Sequence, residues 1–447
     1  MPRTIAASRG CGNLLQRCVS VSRRFGLSPT KIEAKLNRYV DVTEKLGCVP
    51  TFPVTAVLVK RHPEVIRRLC NRGVELAIHG YVHTDYKSVC LEEQLRHFNK
   101  AITIFDSYRI PFSGFRAPFL RVNSETIEAL SKLKLAYDSS RSIVWDVLDN
   151  YDRSQKPWRD YTRLLDFYQP LEAGSYLSLP RFENGLVEIP VSIPDDEALV
   201  DRLNMHEAKE ISRVWEKIFL RTYDRGELFT LQLHHERIGL CAGALEAVIR
   251  RARELDPPVW IASLKEIAQW WRERKGFAFE VHAMGSGRWR VKADCSERAT
   301  VLVRNCLSND PTTNWDGAYR SIDARDFSVS SPLSPFIGVG PNCSQDVVRF
   351  LGSEGFAVEV SDRPQDYGIY LDSLPDFRQS DEKPLCDLID NSACPLIRYW
   401  RWPEKAKSAL AITGDIDSIT LIDFVIRVFE VRRQQIGQVV VGAKACS

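Results

Sequence analysis

Residues 407–417 read KSALAITGDID. The apolar run SALAIT has the texture of a strand, and it ends in a polar turn that holds Asp415 and Asp417. If strand geometry persists into the turn, the two aspartates lie on the same side. Two carboxylates so placed repel each other, which is costly unless a cation or an acid–base role uses them. The plainer alternative is a solvated or calcium-like turn. What this strand joins decides the fold.

Far upstream, residues 75–86 read ELAIHGYVHTDY, with His79 and His83 four apart after a short apolar stretch. Four-residue spacing brings two imidazoles together on a helix or a tight turn. Pairs at that spacing also arise by chance; if these two hold a metal, they are too few, and the chain must supply at least one more ligand. His62, His97, His206 and His282 have no such context and are read as structural or surface residues.

The chain is 447 residues long, with 44% apolar and 27% charged residues, enough for two or three domains with a sizeable core. A net charge of +3 gives no argument for a nucleic-acid partner. No apolar run approaches bilayer-spanning length, so no integral membrane association is expected. The twelve cysteines form no C-x-x-C pair and several sit in apolar settings, which reads as reduced thiols in the cytoplasm. Residues 1–27 form a basic arm: Arg3, Arg9, Arg17, Arg23 and Arg24 occur there without an acidic residue. An organelle transit peptide is the alternative reading of that arm.

Beyond the arm, helix and strand signals alternate. SPTKIEAKLNRYVDVTEKLG predicts a helix with Ser28 as N-cap, Pro29 at the first helical position and Gly47 as its stop. VPTFPVTAVLV predicts a strand, HPEVIRRLCNRG a helix and VELAIH a strand. The pattern continues through GELFTLQLHHE (strand), ALEAVIRRARELD (helix), PVWIASL (strand) and KEIAQWWRERKG (helix). Such alternation argues for parallel β/α units in a barrel-like or doubly wound sheet. From 276 to 395 the texture shifts to short strands and a helix, expected to form a small α+β second domain inserted before the carboxyl-terminal strand. Residues 396–430 then supply that strand and a helix, and 431–447 a tail.

Two further motifs carry chemistry. In GFRAPFL, Arg116 stands at a strand end before the stiff Ala117–Pro118 step, placed either to orient a carboxylate or simply on the surface before a turn. In LFTLQLHHER, an apolar strand delivers His234 at its carboxyl end, where parallel β/α architectures place their sites. Adjacent residues on a strand point opposite ways, so His235 is expected at the surface.

Together these pieces resemble the polysaccharide deacetylases with a NodB-like domain. The resemblance covers roughly residues 30 to 275 and rests on VPTFPVTAVLVKRHPEVIRRLCNRGVELAIHGYVH, GFRAPF, LQLH and VWIASLKEIAQWW, in that order. It implies a distorted parallel (β/α) barrel and hydrolysis of acetyl groups on glycans with a divalent metal. The sequence departs from the family in lacking an aspartate pair before the first helix, since no aspartate precedes Asp41. KSALAITGDID looks like that missing strand, which implies a circularly permuted domain: the barrel over 28–275 lacks its first strand, and the carboxyl-terminal one inserts into it. The rival account is a truncated second copy beginning near 395. A smaller departure is Gly80, where many members carry Ser or Thr.

The family's roles, carried over residue by residue, imply that His79, His83 and Asp417 hold a metal, most simply zinc, which polarises the acetyl carbonyl and activates water. Asp415 is implied as general base, Arg116 as its partner, His234 as general acid and the backbone N–H of Phe119 as an oxyanion donor. One residue separates the aspartates where many members have them adjacent, so base and ligand could exchange between Asp415 and Asp417. The implied substrate is an N-acetylated sugar or glycan precursor. A small cyclic amide, or an inactive barrel that binds carbohydrate or a protein partner, are the alternatives.

Overall fold

The computed structural model describes residues 24–149, 151–427 and 429–431. Most of the basic arm, and the tail beyond Val431, lie outside the described residues.

The main sheet is α/β, largely parallel and curled. Its strands are β1 (Thr51–Val54), β2 (Glu75–Ile78), β3 (Gly114–Phe115), β4 (Tyr137–Asp138), β5 (Arg181–Glu183), β6 (Leu186–Glu188), β7 (Leu228–Gln232), β8 (Val259–Ile261) and β9 (Ser408–Thr413). They run in the order β7-β9-β1-β2-β3-β4-β6-β5, with β8 also paired to β9. All these pairings are parallel except the β5–β6 hairpin.

The carboxyl-terminal strand therefore lies inside the sheet. One edge of β9 pairs with the whole of β7, from Leu228↔Ala409 to Gln232↔Thr413. The opposite edge is shared: Ser408–Leu410 pair with β8, while Thr413 and Ile416 pair with Thr51 and Val54. All six residues of β9 are buried, as the unbroken small-apolar run SALAIT allows. Gly414 follows because a Cβ there would stand 2.1 Å from the Leu233 carbonyl oxygen.

Helices flank the sheet much as the apolar periodicity predicts. Thr30–Lys45 buries Ile32, Leu36, Tyr39 and Val40, and Gly47 follows in a left-handed conformation. Its N-cap, however, is Pro29 rather than Ser28, and no side chain caps the helix. VPTFPVTAVLV is also not one strand: after Val54 the chain turns into a helix, Ala56–Arg61. Every residue from Thr51 to Val59 is buried, so continuous apolarity could not tell the two apart. Leu264–Arg274 starts with a capping box between Ser263 and Glu266.

Residues 276–399 build smaller sheets. Ala278–Gly285, Arg288–Asp294, Asp326–Ser330 and Leu307–Ser308 form one antiparallel sheet. Ser334–Val339, Val358–Val360 and Tyr367–Leu371 form a parallel trio with its own apolar cluster around Ile337, Leu351 and Ile389. Leu396–Tyr399 pairs antiparallel with Val301–Arg304.

Candidate metal centre and active site

The loop after β2 and the turn after β9 meet. His79 Nε2 lies 3.3 Å from Asp417 Oδ1, and His83 Nε2 lies 3.2 Å from Asp417 Oδ2. Ligands bonded at about 2.0–2.2 Å to a tetrahedral zinc stand about 3.3–3.6 Å apart, so these contacts already have the length of coordination edges. His79 Nδ1 is 2.8 Å from the Arg116 carbonyl oxygen. A carbonyl only accepts, so Nδ1 carries the proton and Nε2 presents its lone pair. Both His79 Nε2 and Asp417 Oδ1 are buried without a hydrogen-bond partner among the described residues. Buried polar atoms rarely stay unpaired unless something else binds them. The site thus fits a divalent ion held by His79, His83 and Asp417.

Electrostatics agree. Burial pushes the Asp417 carboxyl up, but His83, His79 and Arg427 outweigh it and hold the group well below the ordinary carboxylate range. Burial lowers the His83 pKa, which favours the neutral imidazole that a metal requires. Gly80 separates this pair's first histidine from the loop at φ +81°, and a Cβ there would meet the Tyr86 hydroxyl at 2.6 Å. Local crowding thus accounts for glycine where Ser or Thr would be usual.

Asp415 sits behind this centre, 3.7 Å from His79 Nε2 through Oδ2. Arg116, wholly buried, donates from Nη1 to Asp415 Oδ1 (3.2 Å) and to Thr413 Oγ1 (2.9 Å). Its other nitrogens donate to the Ser139 carbonyl and hydroxyl oxygens, at 3.0 and 2.9 Å. The guanidinium is thereby locked to Ser139, just after β4, which excludes the surface alternative for Arg116. Gln232, the last residue of β7, donates from Nε2 to Asp415 Oδ2 at 3.3 Å.

His234 is held by Asp196. The Asp196 carboxylate takes the His234 ring at Nδ1 (2.8 Å) and accepts from the His234 backbone N–H (3.0 Å) and from Arg237 (2.8 Å). Burial works against the imidazolium, but the Asp196 charge outweighs it and raises the His234 pKa well above its usual value. The sequence reading missed Asp196. It lies in SIPDDEA, a stretch without strand alternation or a histidine, so only the Asp-Asp pair itself was a signal.

His235 corrects an expectation. It is 1% exposed, not a surface residue, and its Nδ1 lies 3.3 Å from the Asp415 carbonyl oxygen. Strand alternation fails there because β7 ends at Gln232 and the chain turns into a short helix from His235 to Arg237. Phe119 has φ 63° and ψ 10°, a left-handed conformation unusual for a bulky residue, and its ring packs edge-on to His83 at 4.4 Å. His62 and His97 are structural, paired with Asp423 (2.8 Å) and Glu93 (3.0 Å), and His206 and His282 are exposed.

Residues 27–137 match the family model described as polysaccharide deacetylase. The chain is a relative of the polysaccharide deacetylases. That span holds His79, His83, Arg116 and Phe119, whereas Asp415, Asp417 and His234 lie outside it. Over 268 residues the chain is 24% identical to a peptidoglycan deacetylase-like protein of Gibberella zeae, covering 52% of this chain and 74% of that one. A solved structure from Mycobacterium smegmatis, named as a polysaccharide deacetylase, is 21% identical with a TM-score of 0.42 and covers 54% of this chain and 78% of its own. A solved allantoinase is 19% identical with a TM-score of 0.41, covering 53% and 72%. The deacetylase relationship supports a hydrolase.

Proposed function

We propose that this deacetylase relative is a metal-dependent hydrolase that removes an acetyl group from an N-acetylated sugar or glycan precursor. One observation carries the reading: His79, His83 and Asp417 converge with unpartnered ligand atoms beside a carboxylate gripped by a buried arginine. A bound divalent ion, zinc in the simplest case, would supply Lewis-acid polarisation of the acetyl carbonyl and activation of water.

The remaining work falls to the chain's own groups. Both histidines touch Asp417, and only His79 approaches Asp415, which favours Asp417 as ligand and Asp415 as base. Arg116 and Gln232 orient Asp415 to take a proton from water. His234, kept charged by Asp196, delivers a proton to the leaving amine. The Phe119 N–H, in its left-handed turn beside His83, is the proposed donor to the developing oxyanion.

The test is acetate release from N-acetylglucosamine oligomers, measured with metal-free protein before and after zinc addition, together with the metal content of each sample. Asp415→Asn is expected to keep its metal and lose turnover. Normal acetate release by that variant, or release indifferent to zinc, would sink the proposal.

A further inference from the structure

The Asp417 carboxylate has a third neighbour that the catalytic scheme does not use. Arg427 donates from Nη1 to Asp417 Oδ2 at 3.0 Å. It comes from the helix that begins at Leu421, three residues beyond the turn that carries the aspartates. A cation on a carboxylate that is also a metal ligand competes with the ion for the same negative charge.

The helix is fastened in place. Thr420 caps it reciprocally with Asp423: the Thr420 N–H and hydroxyl donate to Asp423 Oδ2 at 2.9 and 2.8 Å, and the Asp423 N–H donates back to Thr420 Oγ1 at 3.1 Å. Asp423 also pairs with His62 at 2.8 Å and Arg61 at 3.5 Å, and Arg61 reaches on to Glu430. The Leu421 N–H donates to the Gly26 carbonyl at 2.8 Å, and Phe424 packs on Phe25 with ring centroids 5.5 Å apart. Arg427 lies over the Phe424 ring at 4.9 Å. Its guanidinium is thus delivered to the centre by a docked element.

Resting on the metal-site reading above, we infer that Arg427 is a built-in competitor for the divalent ion: it neutralises Asp417 when the ion is out and lowers the site's affinity when the ion is in. The carboxylate has other neighbours besides Arg427, because His79 and His83 stand 3.3 and 3.2 Å from its two oxygens. What Arg427 adds is positive charge beside a site for positive charge, and in a buried site that repulsion is weakly screened. Arg427 is accordingly an affinity-setting residue rather than a catalytic one.

The experiment is a zinc titration of metal-free full-length protein against a competing chelator. Wild type, Arg427→Gln, Arg427→Ala, Arg427→Lys and His83→Ala are compared. Loss of an outer-shell partner typically costs about 10–100-fold in metal affinity; here the group removed is a cation facing a cation site, so the sign reverses and the neutral Gln and Ala variants are expected to bind about tenfold tighter. The Lys variant keeps the charge and should stay near wild type. A variant that loosened the terminal helix would withdraw the same guanidinium and should also tighten. Thermal unfolding gives a second readout: the neutral variants should be less stable without zinc and gain more from it than wild type. Equal or weaker zinc binding by both neutral variants, with wild type binding and His83→Ala not binding, overturns this inference alone. No zinc uptake by wild type, or uptake indifferent to His83, overturns the metal-site reading as well.

Discussion

Asp196→Asn isolates the pair that keeps His234 charged. The carboxylate is wholly buried, and it meets the His234 ring, the His234 backbone N–H and Arg237 at 2.8–3.0 Å. Asparagine keeps the shape and one oxygen but removes the charge. Breaking a buried ion pair by removing one partner costs about 3–5 kcal/mol, and the retained oxygen places this change near 3 kcal/mol. The loss should depend on pH in a definite direction. The folded His234 pKa stands above its unfolded value. Its share of the stability is therefore whole below about pH 6.5 and disappears as pH rises through the raised value. Burial pushes Asp196 up, but His234 and Arg237 outweigh it and depress its pKa. Its share is present above about pH 4 and is lost as pH falls through the depressed value. The gap between wild type and variant should be widest between about pH 4 and 6.5 and narrow on the alkaline side. Urea unfolding followed by tryptophan fluorescence across this range measures it. In the variant, burial and Arg237 lower the imidazole's pKa against Glu236 alone, so the alkaline limb of turnover should shift to lower pH. A gap below about 1 kcal/mol, or one that does not narrow above neutrality, would refute the assignment of a charged His234.

Three other changes test separate parts of the structure. Arg116→Met leaves Asp415 buried without its cation and should cost about 3–5 kcal/mol in urea unfolding, besides abolishing turnover. Gly414→Ala drives a methyl into the Leu233 carbonyl at 2.1 Å. Overpacking of that kind costs about 1–3 kcal/mol, and the displaced turn should lower zinc affinity in the same titration. Ser263→Ala removes the Oγ that accepts from the Glu266 N–H at 3.3 Å and should cost about 1 kcal/mol without changing metal binding.

The three candidate ligands that the structure brings together were legible because their signals are local and chemical. His79 and His83 announce themselves by spacing, and Asp417 by a strand that stops in a paired-acid turn. Arg116 was legible as a candidate because Pro118 stiffens its surroundings, but its five hydrogen bonds go to Gln232 of β7, Thr413 of β9, Asp415 in the turn after it and Ser139 after β4, which no local pattern reports. Asp196 and Arg427 were missed for the same reason: their meaning lies in partners 38 and 10 residues away. His235 was misread where strand alternation was extended past the end of β7, and the Ala56–Arg61 helix where continuous apolarity was read as strand past Val54. Periodicity describes an element and not the place where it stops.

The position of β9 has a consequence for how the site comes to exist. In a sheet ordered β7-β9-β1, the last strand is interior, with hydrogen-bonded neighbours on both edges and all six of its residues buried. Without it, β7 and β1 would each present an open edge, and β8 would lose the one strand it pairs with among the described residues. Open apolar edges invite pairing with other chains. Residues 28–275 therefore contain both histidines, Arg116 and His234, yet are poorly suited to fold alone. The polypeptide between Arg274 and Ser408 must carry the strand back, and Leu396–Tyr399 on Val301–Arg304 shows part of how it does so, by anchoring the chain shortly before β9 begins. Stability and chemistry are thus coupled in one element: the strand that closes the sheet is the strand that ends in Asp415 and Asp417. A chain that has not placed β9 has neither the proposed base nor the proposed third ligand, so a half-assembled barrel would lack the site.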